Sequence, residues 1–182
     1  MQRSVVDTEV LGEHYIICIC EGAAEEAIMN ALLDADRLIF NREQLVDEKI
    51  TRLRKASEIQ ATFLRRDYEK PVDILRILDS QTDRFRLGRL YADRFEVHNV
   101  YTKPEIEMLL ILSEKKYKEF KKSRKTPSKY CVEELFPGED VKGKDFLQSY
   151  FQNTDRLLGA IEEYRRVGTR PPGDWILCDL LK

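Results

Sequence analysis

Two acids each stand directly behind an apolar run. Glu21 follows the six residues Tyr15–Cys20 (YIICIC), and Asp79 follows Val72–Leu78 (VDILRIL). A second acid lies four residues after each, Glu25 and Asp83. Carboxylates that converge with no lysine between them repel one another unless a cation fills the space. Magnesium takes oxygen ligands, keeps several waters, and needs only one or two carboxylates plus a substrate phosphate. Such an ion polarises phosphate oxygens and generates a hydroxide nucleophile. Glu21, Asp79, Glu25 and Asp83 are therefore candidate ligands for Mg2+ or Mn2+, with Glu21 and Asp79 as the catalytic pair. Simpler readings stand beside this one. Glu21 and Asp79 could be solvated strand-end acids, Glu25 could complement a helix dipole, and Asp83 could cap the stretch that follows it.

The elements that must position these acids alternate along the chain. An unbroken, isoleucine-rich run such as 15–20 reads as a strand buried on both faces of a parallel sheet. Ala24, Ala27, Ile28, Ala31, Leu32 and Ala35 then form a helical stripe. Residues 38–40 (LIF) read as a second strand. Asp47 is placed to cap a helix over 48–66, with Ile50, Leu53, Ile59 and Phe63 inward, before Pro71 breaks the pattern. Val72–Leu78 is a third strand, 83–93 a short arginine-rich helix or turn, and 95–101 (FEVHNVY) a fourth strand. A long helix is expected from Thr102, with Pro104 in its first turn and Ile106, Leu109, Leu110, Tyr117 and Phe120 inward. A short edge strand is expected over 4–11.

This alternation predicts an α/β fold: a parallel four-stranded sheet of the Rossmann-like kind with helices on both faces. In such sheets ligands bind outside the carboxyl ends of the strands, where Glu21 and Asp79 would stand. After Phe120 the composition changes, and the chain divides into an α/β domain at 1–126 and a helical C-terminal extension at 127–182 packed on it. Helices are expected near 143–152 and 154–167, ended by Arg170-Pro171-Pro172-Gly173. The apolar tail DWILCDLLK packs back on the domain.

Bulk numbers narrow the classes. The 182 residues carry a net charge of -2, so no global field drives nucleic-acid binding, and any such contact needs a local patch. Two patches qualify. Lys115 to Lys129 holds eight basic residues, Lys121, Lys122 and Lys125 among them, against one acid, Glu119. Tyr117, Phe120 and Tyr130 are its candidate stacking groups. Arg84 and Arg86 follow Asp79, and guanidinium forks suit phosphate. A solvated lysine face and surface ion pairing are the competing readings. The four cysteines form no CxxC pair, which argues against zinc and for a reducing, cytoplasmic compartment. His14 and His98 are too few and too separated to suggest a histidine metal site, and His98 reads as facing solvent. No glycine-rich phosphate loop occurs. No apolar run approaches the ~20 residues that span a bilayer, so no membrane partner is expected.

CICEGAAEE followed by ILDSQTD resembles the Toprim domain, the metal-binding α/β module of primases, topoisomerases, OLD-type nucleases and RNase M5-like enzymes. The resemblance covers residues 14–120, and small stand-alone members associated with phage defence are the most similar. Glu21-Gly22 matches the Glu-Gly after the first strand, and Asp79 matches the first acid of the family's Asp-x-Asp. Position 81 departs from the pattern, being Gln81. Pro104-Glu105-Ile106-Glu107 resembles a further glutamate element of the defence-linked relatives. That adds Glu105 as a metal ligand, although Thr102 and Glu105 also read as a capping box. The resemblance implies a magnesium-dependent nuclease acting on DNA or RNA. It also admits an inactive module that binds nucleic acid or a protein partner in a defence complex, and a homo-oligomer.

Overall fold

The computed structural model describes residues 11–79, 84–102, 105–167 and 175–182. Four strands, β1 (Tyr15–Cys20), β2 (Val72–Leu78), β3 (Glu96–Tyr101) and β4 (Trp175–Ile176), form one parallel sheet in the order β1-β2-β3-β4. The long runs form strands because parallel strands are covered on both faces, which suits residues such as Ile16, Ile17, Cys18 and Ile19 in succession.

Alternation divides the sheet into two faces. One carries Ile16, Cys18, Cys20, Leu75, Ile77 and Val100 into the larger core, which α1 (Ala23–Asp34), α4 (Met108–Ser113), α7 (Lys144–Tyr150) and α8 (Thr154–Val167) share. The other carries Ile17, Ile19, Val72 and Ile74 against Val46, Phe63, Leu64, Phe95 and the Ile59 side chain of α2 (Ala56–Thr62). The fold is thus α/β with helices on both faces. Two short helices, α3 (Arg89–Ala92) and α6 (Pro127–Tyr130), and α5 (Tyr117–Ser123) complete the described α-helices.

Helix α1 sets the geometry behind Glu21. It starts at Gly22, whose backbone is extended, and its first turn holds Glu25 and Glu26, where the dipole favours negative charge. Ile28, Met29 and Leu32 are fully buried, each stabilising by about 1.5–3 kcal/mol relative to exposure. The helix closes where Asp36 turns left-handed and the Arg37 amide donates to the Leu32 carbonyl.

Several expectations are corrected. Residues 38–40 are not a strand of the sheet: Leu38 bridges antiparallel to Leu181, and the Ile39 amide donates to Leu180 O. The fourth strand comes instead from the tail, whose two residues pair with Val100 and Tyr101. The helix over 48–66 shrinks to α2, because Thr51 exchanges backbone hydrogen bonds with Cys18 and Cys20 and holds its segment extended along β1. Asp47 caps nothing; it sits at φ 58. The long helix from Thr102 begins only at Met108 and breaks at Lys115, which turns left-handed at φ 57 and lets Lys116 N–H reach Ile111 O. No capping box forms at Thr102. Its hydroxyl donates to Leu78 O, and Glu105 Oε2 accepts from Ser128 N–H. The expected strand at 4–11 (save Leu11), Gln81, Asp83, Pro104 and the 170–173 terminator lie outside the described residues. No described helix is long and apolar enough to cross a membrane.

Candidate functional site

Register brings the first two acids together. Cys20 pairs with Ile77, and the Glu21 amide donates to Ile77 O, so Glu21 and Asp79 leave neighbouring parallel strands at one edge. Glu21 Oε2 accepts the Asp79 amide at 3.1 Å, and Arg54 stands 3.8 Å from Oε1. Burial pushes the Glu21 carboxyl above its ordinary value. The Asp79 amide and Arg54 pull it down, and the Asp79 carboxylate pushes it up again. Glu25, only 6% exposed, is raised by burial first and then by the charges of Asp79 and Glu21, against the pull of its own amide and that of Gly22. Gly22 is what gives Glu25 room: a Cβ there would lie 2.7 Å from Glu25 Oε2.

The rim adds two more acids and a cation. Glu107, 2% exposed, pairs with Lys142 at 2.8 Å. The Lys142 ammonium is raised by its bond to Glu107 first, against partial burial, with the Glu105 and Asp79 carboxylates adding to the rise. One lysine thus faces three acids across the chain. Cys131 lies beneath them; burial, with Glu107 and Glu105, pushes its thiol up to about 12, so it is no nucleophile at neutral pH.

Of the nucleic-acid candidates, Arg84 and Arg86 are exposed, just beyond the segment that follows Asp79. Lys121 is exposed 5.9 Å from the Tyr117 ring, and Lys122 is exposed beside it. Lys125 differs. Its ammonium is held by Glu133 at 2.8 Å and by Glu134, so its charge is already neutralised within the fold.

A second cluster lies at the opposite, amino end of the strands. Asp73 and Glu96 are register partners on β2 and β3, and His98 shares their face of the sheet. Among the described residues this is the one trio of metal-ligating groups whose donor atoms all lie within 4.8 Å of one another, so it is a group that could hold a metal ion. Asp73 is buried, and His14 Nδ1 meets its Oδ2 at 2.8 Å. Burial raises the Asp73 carboxyl, but the nearby His98 imidazole and the hydrogen bond with His14 outweigh it and hold the group below the usual range. His98 is buried rather than facing solvent, which corrects the sequence expectation. In sequence the two histidines are far apart; only strand register unites them. A usable signal was present, since Asp73 interrupts an apolar run and His98 is in phase with buried Val100.

Comparison of the chain with family models, with curated proteins and with solved structures returned no match.

Proposed function

We propose that this chain is a metal-dependent phosphodiesterase that hydrolyses DNA or RNA, with Glu21, Glu25 and Asp79 as ligands for Mg2+ or Mn2+ and Glu105 at the rim. A phage-defence setting rests on the Toprim resemblance alone. The observation that carries the reading is the strand register that brings Glu21 and Asp79 to one edge of the sheet, with the Asp79 amide on Glu21 Oε2. Burial and mutual repulsion raise Glu21 and Glu25, both beside Asp79. The missing Cβ of Gly22 supports the fit, because it leaves room for the Glu25 carboxylate. When bound, a divalent ion supplies a polarised phosphate oxygen and a water of lowered pKa. The chain's own residues do the rest. Glu21 is fixed by the Asp79 amide, so one of its oxygens is aimed before any ligand arrives. Arg54, Arg84 and Arg86 offer guanidinium forks to a phosphate backbone, and Lys121 and Lys122 extend the track.

A second reading has its own support. Lys142 already places a cation against Glu107, near Glu105 and Asp79, and the carboxyl-end donors are spread more widely than the Asp73 trio. Both favour a non-catalytic module that binds a protein or nucleic acid. Plasmid and RNA degradation with Mg2+ or Mn2+ separates the two. Glu21→Gln should abolish a metal-dependent cleavage that the parent chain performs. Equal behaviour of the two proteins leaves the binding module standing.

A further inference from the structure

We propose that Asp73, Glu96 and His98 bind a divalent transition-metal ion of the zinc class at the amino end of the sheet, apart from the carboxyl-end acids. The site does not depend on the nuclease reading. His98 Nε2 is buried and has no hydrogen-bond partner, and its side chain is 6% exposed. It faces Asp73 Oδ1 at 3.6 Å and Glu96 Oε2 at 3.8 Å. These separations are too long for hydrogen bonds. The 3.6 Å separation matches the edge of a coordination tetrahedron, since donors about 2.0–2.2 Å from zinc lie roughly 3.3–3.6 Å apart, and the exposed Glu96 carboxylate needs to move in by only a few tenths of an ångström. Neighbouring ligands of octahedral magnesium, at about 2.0–2.1 Å, would lie closer, near 2.8–3.0 Å. The imidazole donor also selects a borderline ion over magnesium.

The surroundings are those of a built site. His14 engages Asp73 Oδ2 at 2.8 Å and leaves Oδ1 for the ion, the bracing that outer-shell partners give to ligating carboxylates. Trp175 lies against the His98 ring, centroids 6.1 Å apart and planes at 25°, and fixes the plane of the imidazole. Glu96, with its side chain 76% exposed, stands on the solvent side of the site. A cleft of about 370 Å3 beside Phe95, Glu96 and His98 gives an ion its way in. Three protein ligands leave the fourth position to water. Bound there, the ion ties β2 to β3 and, through His14, to the segment that leads into β1.

The full chain, stripped with a chelator and titrated with Co2+, should take up cobalt with the intense visible absorption of a tetrahedral site, and Zn2+ should displace it. Glu96→Gln removes an exposed ligand without disturbing the core and should lower Zn2+ affinity at least ~10-fold. His98→Asn should lose the absorption; if that variant does not fold, Glu96→Gln decides. Glu21→Gln should leave the tetrahedral cobalt absorption unchanged, which separates this site from the carboxyl-end acids. A weak octahedral spectrum, equal Zn2+ affinity in the parent and Glu96→Gln, or loss of the absorption in Glu21→Gln would overturn the assignment.

Discussion

Gly22→Ala isolates the reason for the glycine behind β1. The backbone at Gly22 is extended, φ -135 and ψ 179, a conformation open to any residue. Alanine there removes freedom from the unfolded chain and should stabilise by about 0.4–1 kcal/mol. Against this, the new Cβ would lie 2.7 Å from Glu25 Oε2, where ordinary contact begins at 3.4 Å. The carboxylate must therefore retreat by about 0.7 Å, within a pocket that leaves Glu25 only 6% exposed. The opposing effects leave folding stability within about 1 kcal/mol of the parent. Ion binding is less forgiving. A displacement of that size is a third of a ~2.1 Å metal–oxygen bond, and a ~10–100-fold loss of affinity, about 1.4–2.7 kcal/mol, is expected. The assay is calorimetric Mn2+ titration in a Glu96→Gln background, which weakens the amino-end site, paired with urea unfolding of the metal-free proteins. Unchanged Mn2+ affinity would refute the reasoning and leave Gly22 a mere helix start. A stability loss well beyond 1 kcal/mol would instead mean that the Glu25 pocket cannot yield.

Three other outcomes test the packing and electrostatics. Because burial raises the Glu25 carboxyl in the fold, its contribution to stability is fully present below the ordinary value of 4.5 and is lost as pH rises through the raised value. Metal-free protein should therefore gain stability over Glu25→Gln as pH falls from neutrality toward 4.5, read by urea midpoints; parallel pH profiles would contradict this. The Tyr164 hydroxyl is buried with no hydrogen-bond partner, so Tyr164→Phe should stabilise by roughly 1 kcal/mol and raise Tm, and a fall in Tm would reveal a partner for that hydroxyl. Leu157 on α8 is fully buried in the core that also holds α1 and the sheet, so Leu157→Ala should cost about 2–5 kcal/mol. It should do so in one cooperative transition; a separate early melt of α8 would show that this helix is not part of the same unit.

Much of the sheet was legible because its signals are local. β1 is an unbroken apolar run and β2 a mostly apolar one, α1 is a clean stripe, and the acids behind the strands follow from strand ends alone. What failed depended on distant partners. Leu38 and Phe40 are as buried as strand residues, yet the pairing at Leu38 and Ile39 is with the tail at Leu180 and Leu181. β4 is two residues long, too short for any period to reveal. The break at Lys115 was invisible because the inward positions on either side, Leu109, Leu110, Tyr117 and Phe120, keep helical spacing across it. The Asp73, Glu96 and His98 trio needed the β2–β3 register, which no single stretch of sequence contains.

The way the sheet is bordered limits how this protein can meet others. Along β1, Leu45 and Thr51 form isolated bridges to Ile16 and Ile19, so passing backbone already occupies that margin. Along the other margin, β4 offers only Trp175 and Ile176 before the chain turns into a 3-10 segment at Leu177–Leu180. Among the described residues the β1 border is therefore largely covered, while β4 pairs only Val100 and Tyr101 of β3. Recognition by strand addition, and the edge-to-edge aggregation that shares its chemistry, therefore have little template along β1. On the β1 side, contacts with a nucleic acid, a protein or a second copy fall to helix faces and to the loops at the two ends of the strands.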